Sequence, residues 1–375
     1  MTGAEPIVGA PAAWPPLVPA PGRSVAVLVG TATQVVPSTL PPLPQAAASV
    51  VALGEVLTGP LGGFDPASVH RRVDPPAPAE VFRLLPAPGS DPLDVLLFYF
   101  AGHGLRGTDN RLCLALPGSV DDTRRAERTA LPVAALFQAL RQVRAEHKIA
   151  VFDCCFAARA LDAADAADIH VLAAAGRTRK ARTPEGHTRT GFTTALLRLL
   201  ADGVPDGPEH LDLTTLYRHL TVTLPAAGLP EPLQRSFGAT GDLALFRNAA
   251  YGTGHTRAGL LARARFAGQV KSLGQAGHPR RTAQAAHLFR AVAADAAVHL
   301  GRTDPETLRY RHVHASTAGE AGDPHTACVL LQQAVTDWER LAPPDDPALG
   351  AARASLAYWR TRTAPTPTPP ARTPH

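Results

Sequence analysis

Two short apolar runs organise the first half of the chain. Residues 95–100 read Val-Leu-Leu-Phe-Tyr-Phe and residues 149–152 read Ile-Ala-Val-Phe, both uninterrupted by charge. Runs of this length, rich in Val, Leu and Phe, suit strands buried on both faces of a parallel sheet. Between them, Val133, Leu136, Phe137, Leu140 and Val143 recur at spacings of three and four, which predicts an amphipathic helix over 132–144. Strand, helix and strand in that order make a right-handed parallel crossover.

The same reading extends along the chain. Residues 24–30 predict a first strand closed by Gly30, and residues 45–57 a helix with Ala48, Val51, Ala52, Glu55 and Val56 at helical spacing. A second strand is expected over 69–73, a second helix over 78–85, a hairpin strand over 111–116 and a further strand over 169–175. Helices at 191–200 and 213–224 and a turn and strand over 238–248 complete this half. The last third is Ala-rich and helical. There, residues 287–305 and 329–347 repeat at an offset of 42, with Asp295 matching Asp337 and Asp304-Pro305 matching Asp346-Pro347, a period that fits two-helix units. The expected division is a Pro-rich lead over 1–22, an α/β domain over 23–248, a helical region over 249–362 and a Thr/Pro tail from 363.

Candidate chemistry sits where the two central runs stop. His103 follows the first in Gly102-His103-Gly104, and Cys154 and Cys155 follow the second after Asp153. In an open α/β sheet, ligands collect at the carboxyl ends of the strands. A neutral imidazole there can take a thiol proton, and the thiolate can attack a carbonyl carbon. Spacing alone leaves either thiol open as the nucleophile. His103 precedes Cys155 by 52 positions, the order and gap of caspases.

Tyr99-Phe100-Ala101-Gly102-His103-Gly104 and Asp153-Cys154-Cys155-Phe156-Ala157 resemble the paired Tyr-x-x-Gly-His-Gly and Asp-x-Cys blocks of metacaspases and bacterial caspase-like peptidases. The resemblance runs from about Arg23 to Asn248. It implies a caspase-like, mostly parallel sheet flanked by helices, followed here by an all-α C-terminal region. It also implies a cysteine endopeptidase with His103 as general base, Cys155 as nucleophile, and the backbone N–H groups of Gly104 and Cys155 as oxyanion donors. Asp153 would line an acidic pocket for a substrate Arg or Lys. The 177–182 segment, with Arg177, Arg179, Lys180 and Arg182, reads from its polar composition as a solvated loop, and the resemblance offers the alternative of a self-cleavage loop. Two departures stand out. The helix over 45–57 lacks the second pocket acid of metacaspases, and Ala157-Ala158 replaces the Ser-Gly that usually follows the nucleophile. The segment around 303–309 resembles the loop and second helix of tetratricopeptide repeats of the 42-residue kind, implying a protein partner or activator at the helical region. The alternative is a catalytically silent caspase-like scaffold that binds partners.

Composition narrows the classes. A net charge of +5 arises from scattered arginines with three lysines, and no basic run interleaved with aromatics points to nucleic acid. Four cysteines, two adjacent, make neither a disulfide framework nor a Cys-x-x-Cys zinc set, so a reduced, cytoplasmic setting is expected. No cofactor is expected, and His147, His170 and His187 are not spaced with carboxylates as metal ligands. Asp121, Asp122 and Glu127 are the acidic group a calcium-activated relative would use. The first 22 residues carry six prolines and no apolar core of a secretion signal, and no run of eighteen apolar residues spans a membrane.

Overall fold

The computed structural model describes residues 17–163, 168–174 and 188–363. The first half runs β1 (Ser24–Gly30), α1 (Pro44–Thr58), β2 (Val69–Val73), α2 (Pro78–Phe82), β3 (Leu93–Ala101), β4 (Gly104–Arg106), β5 (Leu112–Leu114), α3 (Thr123–Thr129), β6 (Leu131–Pro132), α4 (Val133–Gln142) and β7 (Ala145–Asp153). It continues with β8 (His170–Ala173), α5 (Gly191–Asp202), β9 (His210–Asp212), α6 (Leu213–Ala226), β10 (Leu233–Arg235) and β11 (Ala244–Arg247). Helices α7 (Arg257–Gln275), α8 (Pro279–His299), α9 (Pro305–Glu320), α10 (Pro324–Glu339) and α11 (Pro347–Thr363) follow.

Two compact units are distinguished, one of residues 1–200, 210–218 and 232–247 and the other of 201–209, 219–231 and 248–375. The first is α/β, with a six-stranded sheet in the order β10-β8-β7-β3-β1-β2. Every pairing in it is parallel except that of the edge strand β10 with β8. The order reverses between β1 and β3, so the topological switch point lies at their carboxyl ends, beside the end of β7.

Strand alternation divides the core. Phe98, Phe100 and Phe152 face α4, where Leu136, Phe137 and Leu140 complete a cluster with Val133 and Cys154. The ring of Phe152 meets Phe137 edge-on at 5.9 Å and Phe98 at 6.4 Å. Each ring so buried contributes about 1.5–3 kcal/mol. Tyr99 and Asp153 point to the opposite face, toward Thr193 of α5.

Several boundaries differ from expectation for identifiable reasons. The buried residues of α1 include Ala46, Val50, Leu53 and Leu57 together with Ala52 as expected, whereas Val51, expected inside, is exposed. Helix α2 stops at Phe82. β7 begins at Ala145, because Ala145, His147 and Lys148 pair with Leu93, Val95 and Leu96 of β3. β9 and β10 were too short to show a period, and β11 pairs with β9 outside the main sheet. Asp122 caps α3 through the backbone N–H groups of Arg124 and Arg125, and Glu127 accepts from the Thr108 hydroxyl, which gives two members of the acidic group structural partners.

The second unit is helical, each of α7 to α10 packing on the next. Prolines open α8 to α11, where the missing N–H costs nothing. The offset of 42 is visible as repeated capping, with Asp304 accepting from Glu306 N at 2.8 Å and Asp346 from Ala348 N at 2.8 Å. The matched Asp295 and Asp337 each take an arginine of the preceding helix, Arg263 at 2.8 Å and Arg311 at 2.6 Å. Leu308, Leu331, Trp338, Leu349, Leu356 and Trp359 form the core of its last three helices. Among the described residues no helix is long and apolar enough to cross a membrane.

Candidate active site

The register of β3 against β7 aligns Ala101 with Asp153, and Gly102 N donates to Asp153 O at 3.3 Å. His103 and Cys155 therefore each lie two residues beyond a paired position on strands about 4.8 Å apart. The sheet brings the two expected residues to one edge, next to the switch point.

Gly104 fixes the approach. A Cβ there would lie 1.9 Å from the carbonyl oxygen of Cys155 and 3.2 Å from Cys154 Sγ, so only glycine lets β4 pass this close. The hairpin of β4 and β5 also orients the Gly104 amide. Ala115 N donates to His103 O at 2.9 Å, and bonded pairs alternate along an antiparallel ladder, so Gly104 and Leu114 form a non-bonded pair. The Gly104 N–H points out of the hairpin.

His103 is half-buried, and its Nε2 lies 2.8 Å from the carbonyl oxygen of Pro41, in the loop between β1 and α1. A carbonyl only accepts, so Nε2 carries the hydrogen, and in the neutral ring Nδ1 holds the lone pair. A backbone carbonyl carries no sequence signal, so the partner of His103 could not be read from residue types.

The two adjacent thiols occupy different environments. Cys154 is buried in the α4-facing core, and burial, followed by the nearby Cys155 and Asp153, pushes its thiol well above the ordinary range. Cys155 is half-buried at the edge. Of the two adjacent thiols, Cys155 is therefore the more accessible. Phe156, which follows it, adopts a left-handed conformation with φ of 59°. The guanidinium groups of Arg106 and Arg159 lie 5.6 and 5.8 Å from its ring centroid, within cation–π range, and hold this bend at the first turn after Cys155. Ala157 and Ala158 are fully buried, so they pack beneath the site. On the α4 side, a cleft of about 370 Å3 is lined by Asn110, Val133, Arg159 and Asp162.

Asp153 is 3% exposed. Its Oδ2 accepts from Thr193 Oγ1 at 2.7 Å, from Tyr99 OH at 3.3 Å and from the Thr190 hydroxyl. Ser49 Oγ extends the cage, 3.1 Å from Thr190 Oγ1. Burial raises the Asp153 carboxyl above its usual range, against these hydroxyl donors, which lower it. Sequence reasoning missed Ser49, Thr190 and Thr193, which lie far from Asp153 along the chain. The 177–182 segment with its four basic residues, and His187, lie outside the described residues.

No protein-family profile matches the chain, and no curated protein matches it.

Proposed function

We propose that this chain is a cysteine endopeptidase of the caspase-like type, with Cys155 as nucleophile and His103 as general base. The observation that carries the reading is the close approach of Gly104 to Cys155, with the His103 Nε2 proton committed to the Pro41 carbonyl. In this scheme His103 Nδ1 takes the Cys155 proton. The thiolate attacks the substrate carbonyl, and the Gly104 and Cys155 amides receive the oxyanion. The imidazolium then protonates the leaving amine, and water releases the acyl group. Asp153 is the proposed determinant for Arg or Lys before the scissile bond. It is a strand-end carboxyl whose side-chain partners, among the described residues, are hydroxyls rather than a cation. Entry of a basic side chain between Thr190 and Thr193 would give that carboxyl its counter-ion. The helical unit, with its 42-residue period of the tetratricopeptide kind, is the proposed seat of a regulatory partner. Fluorogenic peptides ending in Arg, Lys or Asp, assayed with full-length protein alongside Cys155→Ala, test the reading. Hydrolysis lost in Cys155→Ala is expected. Absence of hydrolysis together with failure of a peptidyl alkylating probe to label Cys155 would leave a silent scaffold.

A further inference from the structure

At the amino ends of β3 and β7, away from His103 and Cys155, the fold assembles Asp94, Glu146 and His147. One ligand atom of each lies within 4.8 Å of the other two, the one such group of three found among the described residues. Adjacent strand residues normally point to opposite faces. Even so, His147 Nε2 is 3.9 Å from Glu146 Oε1. Asp94 comes from the neighbouring strand, which is why spacing along the chain hid the group.

The imidazole carries a second observation. His147 is 6% exposed, and its Nε2 is buried with no hydrogen-bond partner among the described residues. An orphaned buried nitrogen is costly unless something satisfies it. The opposite nitrogen, Nδ1, lies 3.1 Å from Thr240 Oγ1. When Nδ1–H donates to that hydroxyl, Nε2 holds a lone pair aimed at the two carboxylates. A ligating histidine needs this tautomer, and a hydroxyl or carbonyl on its far nitrogen commonly fixes it. Asp94 is oriented too, its Oδ2 accepting from Ala20 N at 2.6 Å.

We propose that Asp94, Glu146 and His147 bind a divalent transition-metal ion of the zinc class. One imidazole nitrogen and two carboxylates suit Zn2+, and three protein ligands leave a position for water. Ligand atoms around a tetrahedral ion lie about 3.4 Å apart. The exposed Glu146 side chain closes the present spacing by rotation. The ion would tie the starts of β3 and β7 to the segment around Ala20. The site lies about 23 Å along β3 from the strand end that precedes His103, so the ion fastens the sheet and takes no part in bond cleavage.

The test uses full-length Cys155→Ala protein, which removes the reactive thiol as a competing ligand. After exposure to Zn2+ and desalting, metal content is measured by mass spectrometry, affinity by titration and stability by thermal melting. One ion per chain and a raised Tm are expected. Glu146→Gln, at an exposed position, should weaken affinity at least tenfold without altering the metal-free Tm, and His147→Gln should abolish retention. Thr240→Val should weaken affinity 10- to 100-fold through loss of imidazole orientation. No retained Zn2+ in the Cys155→Ala protein, or unchanged affinity in Glu146→Gln, would overturn the proposal.

Discussion

The Nε2 atom of His103 lies 2.8 Å from the carbonyl oxygen of Pro41, which commits that nitrogen's hydrogen and leaves Nδ1 as the basic atom. Glutamine can reach the same carbonyl with its amide N–H but has no basic nitrogen. His103→Gln should therefore keep the loop contact and the melting temperature while lowering kcat/KM by about 10^2- to 10^4-fold, the usual scale for losing a general base. Activity within tenfold of wild type, measured on a fluorogenic peptide, would remove His103 from that role.

The thiols are expected to separate by reactivity. Burial pushes Cys113 up to about 12 and Cys154 well above the ordinary range, so neither supplies useful thiolate at neutral pH. Brief treatment of native protein with iodoacetamide at pH 7, followed by peptide mapping, should modify Cys155 and leave Cys113 and Cys154 intact. Cys154→Ala should retain most activity, because it removes one buried sulfur from the α4 face without touching the edge. Preferential labelling of Cys154 would invert the assignment.

The strands that deliver these groups were legible in the sequence, because β3 and β7 are continuous apolar runs ending at His103 and Cys155. The parallel sheet with flanking helices and the helical C-terminal region followed from the same periodicities. What escaped were relationships between distant segments. The Asp153 cage joins Ser49, Tyr99, Thr190 and Thr193, and the Pro41 carbonyl is set by a loop path. Helix α1 shows a smaller failure. Its composition is so uniformly apolar that several stripes fit, and only packing selected Ala46, Val50, Leu53 and Leu57. The 42-residue offset was visible because the prolines and capping aspartates that start α9 and α11 are strong local signals.

Gly104→Ala should be severe for a reason unrelated to helix or strand propensity. The added methyl would sit 1.9 Å from the Cys155 carbonyl oxygen, which belongs to backbone and cannot rotate away. Overpacking of this kind costs about 3 kcal/mol, and the amide beside the candidate nucleophile would be displaced with it. Gly118→Ala is the control, since nothing lies within 4 Å of its added carbon. Denaturant unfolding of both variants should show a large loss for the first and a change under about 0.5 kcal/mol for the second.

Asp153→Asn separates specificity from folding. The carboxyl is raised in the folded chain by burial, so its neutral form is favoured there. That contribution is present at low pH and is lost as pH rises from the ordinary value through the folded one. The amide has no charged form for burial to penalise and keeps the shape, so Tm should hold or rise. Hydrolysis after Arg or Lys should fall at least tenfold relative to other residues. An unchanged ratio of kcat/KM values would show that Asp153 does not read the substrate.

His170 opens β8 at 1% exposure, and neither of its ring nitrogens has a hydrogen-bond partner among the described residues. Burial lowers its pKa from 6.5 to about 4, so the unfolded chain takes up the proton before the folded chain does. Stability is then greatest above pH 6.5, declines as pH falls toward 4, and changes no further from this group below that. The loss across the window is on the order of 3 kcal/mol. Thermal melting of wild type at intervals from pH 7.5 to 4 should show the decline, and His170→Leu, which cannot titrate and fits an apolar strand, should flatten it. An equal slope in the variant would place the acid sensitivity elsewhere in the molecule.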